Sequence, residues 1–109
     1  MNEFQKQAIR VDASASTEQV LRQLAEEASE VSQAALKMIR VFEETTPVSF
    51  QEAKSKLNEE ITDVFNCLAV LNKKVSGVCS VDREMQIQKM KRWAERMKNV
   101  EKSKKEHSY

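Results

Sequence analysis

Two acidic pairs carry the strongest chemical signal in this chain: Glu27-x-x-Glu30 and Glu60-x-x-Asp63. Each lies in a segment whose other residues read as the apolar, core-facing side of a helix. Residues three apart on a helix project from nearly the same face. Glu27 and Glu30 thus point together beside Leu24, Val31 and Ala34, and Glu60 and Asp63 beside Leu57, Ile61 and Val64. Carboxylates so close to a core are costly unless cations or hydrogen bonds compensate them. If the two helices form an antiparallel hairpin, both pairs meet at comparable height and repel unless a cation stands among them. A hard divalent ion answers that need: Mg²⁺ takes carboxylate oxygens and waters and keeps positions open for a substrate phosphate. The spacing leaves the plainer alternative open, because acidic pairs three apart are common on solvated helix faces. Glu26, Glu44 and Glu59 read that way. A di-iron bundle needs Glu-x-x-His on two helices, and the single histidine, His107, lies near the C-terminus.

The elements that must position these acids follow from patterning. The first dozen residues, with Phe4, Ala8, Ile9 and Val11, suggest a short helix, and residues 12–16 a polar break. Ser16 and Gln19 form a capping-box pattern ahead of a helix expected to run to Phe42, with apolar positions Leu21, Leu24, Ala28, Val31, Ala35, Met38 and Phe42. Residues 43–48, holding the single proline, are the one clear linker. Ser49 and Glu52 repeat the capping pattern before a second long helix. Its stripe of Leu57, Ile61, Val64, Leu68, Leu71 and Val75 alternates strictly by four and three, which suits helix-on-helix packing. Gly77 is placed to stop it. Asp82 can cap a third long helix with Met90, Trp93, Met97 and Val100 on one side. Residues 101–109 lack apolar periodicity and are expected to fray.

The fold class expected is therefore all-α: three main helices plus a short N-terminal one, in a single domain over residues 1–100. In 109 residues, 32% charged and 40% hydrophobic, there is one glycine and one proline, too few for a strand-and-turn protein. Phe65, Ala69 and Val70 fall off the main stripe of the second long helix, so self-association into a homodimer or homotetramer is expected to complete the bundle. A net charge of +1 gives no global field for nucleic acid or an anionic membrane. No apolar run approaches a membrane span of about 20 residues, and the N-terminal residues lack a signal-peptide pattern. Cys67 and Cys79 match no disulfide or metal framework, and a cytoplasmic setting fits them. Cys67 reads as a small hydrophobe in a packed helix.

Basic and polar residues supply candidate substrate contacts. Lys89, Arg92 and Arg96 make one basic face of the last helix, where arginine can hold phosphate oxygens in bidentate fashion. A solvated face is the alternative for each, and the reading adopted for Lys91 and Lys98. Lys73 and Lys74 suit either a phosphate or a helix C-terminus, and Lys37 is equally open. Asn66, one turn beyond Asp63, can bond a metal-bound water, a sugar hydroxyl, or simply a neighbouring helix. Trp93 and Phe4 have the shape to stack on a base, with core packing the better reading for Trp93.

The segments Leu24-Ala-Glu-Glu27-Ala-Ser-Glu30-Val-Ser-Gln-Ala-Ala-Leu-Lys37 and Leu57-Asn-Glu-Glu60-Ile-Thr-Asp63-Val64 resemble the all-α nucleoside triphosphate pyrophosphohydrolases of the MazG type. That family is marked by E-x-x-E, a spacer and E-x-x-D. Here the spacer, residues 31–59, is 29 residues long. The segment Lys89-Met-Lys-Arg92-Trp-Ala-Glu-Arg96 is similar to the basic final helix of small bacterial and phage members. The resemblance covers residues 17 to 97. It implies hydrolysis of the α–β phosphoanhydride of a (deoxy)nucleoside triphosphate to the monophosphate and pyrophosphate. Glu27, Glu30, Glu60 and Asp63 are then the ligands of Mg²⁺, with Mn²⁺ a possible substitute. Glu30 is the expected general base and Glu60 the second catalytic acid. Two other readings stand beside it: a non-enzymatic helical-bundle interaction module, and a pyrophosphohydrolase acting on another nucleotide such as phosphoribosyl-ATP.

Overall fold

A computed structural model describes residues 1–107. Among them are four helices and no strand: α1 (Glu3–Ser14), α2 (Thr17–Phe42), α3 (Phe50–Lys74) and α4 (Arg83–Glu106). The all-α expectation holds. Each helix starts where a polar side chain takes over an orphan backbone N–H. Asn2 and Ser16 form reciprocal capping boxes with Gln5 and Gln19. Ser49 accepts from the Glu52 N–H, and Asp82 from the Met85 N–H. At Ser49 only this half of the expected box forms, and Glu52 serves the helix as a first-turn acid rather than as a reciprocal acceptor.

α2 ends in a paired-carbonyl cap. The Thr45 N–H reaches the Arg40 carbonyl and the Glu44 N–H that of Val41, which places Glu44 in the left-handed region at φ 57°. Glycine usually fills this position, and a glutamate there costs about 1–2 kcal/mol of local strain. α3 gives out at Lys74, with Gly77 at φ 82° in the turn beyond it.

The chain forms two compact units, one spanning Met1–Cys79 and a second beginning at Ser80. In the first, α2 and α3 are antiparallel. Val20 near the start of α2 packs in one cluster with Val70 and Leu71 near the end of α3. The rings of Phe42 and Phe50 meet across the linker, with centroids 5.9 Å apart. The seam between the helices is lined by Ala34 of α2 and by Ala53, Cys67 and Leu71 of α3. α1 packs on α3 and is tied to it by Lys74, whose Nζ lies 3.0 Å from an Asp12 carboxylate oxygen and 2.8 Å from the Asp12 carbonyl. Of the two readings open for Lys74, the structure therefore favours the structural one.

Two details depart from the patterning. On α2 the inward line is Val20, Leu24, Glu27, Val31, Ala34, Met38 and Val41, while Leu21, Ala28 and Phe42 are exposed. The face is set one residue earlier at both ends, where Val20 packs on Val70 and Leu71 of α3. Val70, expected on an uncovered flank, is buried against Val20. Phe65 does lie exposed, as expected, and Ala69 is half-buried.

The second unit is α4, which has no buried residue among those described. The single-domain expectation over 1–100 thus meets a first unit that closes at Cys79. The helix continues through Glu106, beyond the point where fraying was expected. Asp82 and Glu84 at its start and Lys104 and Lys105 in its last turn suit the helix dipole. Ser108 and Tyr109 lie outside the described residues.

Candidate metal centre

Glu60 is the one buried charged residue among those described, at 5% exposure. It occupies a seam position of α3, between Ala53 one helical stretch before it and Cys67 one stretch after. Three residues further, Asp63 is half-buried, and across the seam so is Glu27 of α2. One carboxylate oxygen from each of Glu27, Glu60 and Asp63 lies within 4.8 Å of the others. That is close enough for a single cation to bridge them. The donors are all hard oxygens, with no sulfur or imidazole in the set, which fits Mg²⁺ or Mn²⁺ rather than a softer ion.

Of the four expected ligands the structure brings together three. Glu30 is exposed and outside the set. Three residues advance a helix by about 300°, which leaves the second carboxylate about 60° away from the first. With Glu27 aimed into the seam, Glu30 is turned toward its edge. On α3 Glu60 lies on the seam line, and Asp63, on the same flank as the buried Val70, is half-buried beside it.

The charge of Glu60 is compensated within its own helix. Lys56, one turn earlier, places Nζ 2.8 Å from Glu60 Oε1 and 3.9 Å from Glu59 Oε1. The hydrogen bond to Glu60, then the charge of Glu59, and last that of Glu30 push the Lys56 ammonium above its ordinary value. Lys56 is exposed, so this pairing is screened by solvent. The Lys56-to-Glu60 spacing of four was legible in the sequence and escaped notice there. Glu27 is positioned in turn by the Gln23 amide, which donates to its Oε1 at 2.7 Å.

Cys67, one turn beyond Asp63 and Val64, is buried as expected and carries no disulfide. Burial pushes its thiol pKa up, and the nearby charges of Glu27 and Asp63 push it further. It is therefore a protonated wall residue rather than a thiolate ligand.

The other sequence candidates fall in separate places. Asn66 is exposed on α3 and, with Gln23, Cys67 and Val70, lines a recess of about 280 Å³. Val11 of α1 and Ala15, the residue that caps its C-terminus, also line it. Lys73 is exposed in the last turn of α3, where it suits the helix dipole. Lys89, Arg92 and Arg96 share one face of α4 with Met90 and Trp93. They belong to the second unit, whereas the carboxylate cluster is built wholly within the first. Phe4 is exposed on α1 and is not among the residues lining the Asn66 recess. No helix among the described residues is long and apolar enough to cross a membrane. No protein-family model, curated protein or solved structure matches the chain, so the reading of this centre rests on its own geometry.

Proposed function

We propose that this chain is a Mg²⁺-dependent nucleotide pyrophosphohydrolase that cleaves the α–β phosphoanhydride of (deoxy)nucleoside triphosphates, in control or sanitation of the nucleotide pool. The observation that carries the reading is the convergence of Glu27, Glu60 and Asp63 within 4.8 Å at the α2–α3 seam. Two of these acids come from one of the motifs that resemble the MazG type and the third from the other. A buried carboxylate is costly to keep, and a constellation of three is hard to account for by solvation alone.

A divalent ion held here supplies charge neutralisation of the phosphates and a bound water of lowered pKa. The chain's own residues supply the rest. Glu60, fixed by burial and by Lys56, sets the depth of the centre. Glu27, held by Gln23, and Asp63 close its two sides. Glu30, exposed at the edge of the seam, is free to take a proton from an attacking water, which keeps it as the proposed general base while removing it from the ligand set. Self-association is part of the same proposal. Leu21, Leu36, Ile39, Phe42 and Phe65 are large apolar side chains exposed on α2 and α3. A homodimer or homotetramer would cover them.

The test is incubation with Mg²⁺ and a panel of canonical and modified (d)NTPs, with pyrophosphate and orthophosphate measured separately. Pyrophosphate from the wild type and none from Glu60→Gln is the expected result. Orthophosphate alone, or equal release by the variant, would sink the proposal.

One observation favours a second reading, a helical interaction module without catalysis. Lys56 already compensates Glu60, so the buried acid can stand as a structural ion pair. In that case Mg²⁺ leaves the melting temperature where it was, because nothing binds the folded state.

A further inference from the structure

The carboxylate cluster separates two recesses of opposite character along the α2–α3 seam. The Asn66 recess, toward the start of α2, has no cationic side chain in its wall: its polar groups are the neutral amides of Gln19, Gln23 and Asn66. The second recess, toward the end of α2, has a volume of about 270 Å³ and is lined by Lys37, Arg40 and Lys56 together with Glu30 and Gln33. Three cations there face one carboxylate.

Lys37 and Arg40 are three residues apart and so share a face of α2. Neither takes part in an ion pair among the described residues. Lys56 joins the recess to the cluster, since its ammonium is bonded to Glu60 and also lines the basic wall. A solvated basic face needs no concavity and no carboxylate centre beside it, whereas an anion that spans from a cation centre to free ammonium and guanidinium groups needs both.

We propose that the Lys37–Arg40–Lys56 recess is a polyphosphate subsite. An anionic nucleotide then lies along the seam with its pyrophosphoryl end against these cations and its uncharged end toward Gln23 and Asn66. The identity of the anion rests on the pyrophosphohydrolase reading; the existence of an anion subsite does not. Arg40 presents a planar fork suited to two phosphate oxygens, and Lys37 and Lys56 act as point charges. The neutral recess, near the small end of the roughly 300–1,000 Å³ typical of ligand pockets, has room for a single heterocyclic ring with part of its sugar. Its amides can read that ring's donor and acceptor edge. The basic face of α4 is then not needed to hold the leaving pyrophosphate.

The experiment is calorimetric titration of the full chain with inorganic pyrophosphate in the presence of Mg²⁺. It compares wild type, the double variant Lys37→Gln/Arg40→Gln, and the double variant Arg92→Gln/Arg96→Gln. All four substituted residues are exposed, and circular dichroism checks that the helices remain. The wild type should bind. Affinity should fall roughly tenfold or more in the α2 variant, the scale of losing charge-assisted hydrogen bonds, and be unchanged in the α4 variant. Asn66→Leu should leave pyrophosphate binding intact while raising the KM for a nucleoside triphosphate. Failure of the wild type to bind, or loss of binding only in the α4 variant, overturns the subsite. The two proposals part cleanly. Pyrophosphate binding that depends on Lys37 and Arg40, without cleavage of any (d)NTP, keeps the subsite and removes the hydrolase. Cleavage with a KM indifferent to Lys37 and Arg40 does the reverse.

Discussion

The two acidic motifs have the same spacing and different fates. On α3, Glu60 is buried and Asp63 half-buried, and both enter the cluster; on α2, Glu27 enters and Glu30 stays exposed. The difference is one of cover on the flank. Glu60 lies on the buried line of α3 with Ala53 and Cys67, and Asp63, about 60° to one side, shares the flank of Val70, which is buried against Val20. The inward line of α2 runs through Glu27, so the same offset carries Glu30 out of the seam. A motif therefore fixes how two side chains sit relative to each other, while the packing of the whole helix decides what they face. The neighbours follow suit: Glu60 has Lys56 as its partner and Glu27 has the uncharged amide of Gln23.

The sharpest way to break this comparison is to neutralise the acids one at a time. Glu60→Gln should have the largest effect. Loss of pyrophosphate release should exceed the roughly 10–100-fold typical of residues that only support a metal ligand. The rise in melting temperature caused by Mg²⁺ should vanish with it. In EDTA the same variant should be as stable as the wild type or more so, because a neutral amide replaces a buried charge. Marked destabilisation in EDTA would instead mark Glu60 as a structural acid.

Next in size comes the contrast within α2. Glu27→Gln should weaken Mg²⁺ binding by at least the roughly 10–100-fold that loss of a residue supporting a metal ligand costs, since it removes one of three clustered oxygens. Glu30→Gln should leave Mg²⁺ affinity within a few-fold of wild type while lowering kcat. Equal losses of Mg²⁺ affinity in the two variants would show that Glu30 turns inward when the ion binds, and that the asymmetry of the seam belongs to the metal-free chain alone.

A smaller effect should come from Lys56→Met. Lys56 competes with any cation for Glu60, so removing it should raise Mg²⁺ affinity several-fold, read as a larger Mg²⁺-induced shift of the melting temperature. Pyrophosphate affinity should fall in the same variant, because the lysine also lines the basic recess. A fall in both affinities would assign Lys56 to organising the cluster rather than to competing for it.

Much of this frame was legible in the sequence because it depends on local rules. Ser16, Ser49 and Asp82 mark helix starts through side chains that satisfy backbone donors a few residues on. Residues 43–48 and Gly77 mark the ends. The α3 stripe was also legible, since its strict alternation leaves little choice of face. The phase of α2 was not. Leu21 and Leu24, or Ala34 and Ala35, serve equally well in an apolar pattern, and only docking against α3 chooses among them. The exposure of Glu30, outside the cluster of the other three acids, was not legible for that reason. Lys56 and Arg40 were passed over because a single cation in a helix rich in charge reads as solvated until its recess is known. The burial of Val70 was missed likewise, because the residue that covers it, Val20, is 50 positions away in the chain.

The finest probe of the asymmetry is the thiol of Cys67. Its pKa is raised first by burial and then by the charges of Glu27 and Asp63, and Glu30 is not among the causes. A thiol held above its ordinary value of 9.0 in the folded state favours folding at pH values below that figure. This contribution is lost as pH rises through the folded value. Near pH 8 the thiolate is scarce, and alkylation of Cys67 by iodoacetamide should lag behind that of Cys79, which is less buried. Glu27→Gln removes one charge that disfavours the thiolate, so Cys67 alkylation should quicken modestly and its pH profile should move down. Glu30→Gln should leave both unchanged, since that carboxylate lies at the edge of the seam and is not among the charges acting on the thiol. An equal response to the two substitutions would place Glu30 as near to Cys67 as Glu27 is, and the phase argument for α2 would fail with it.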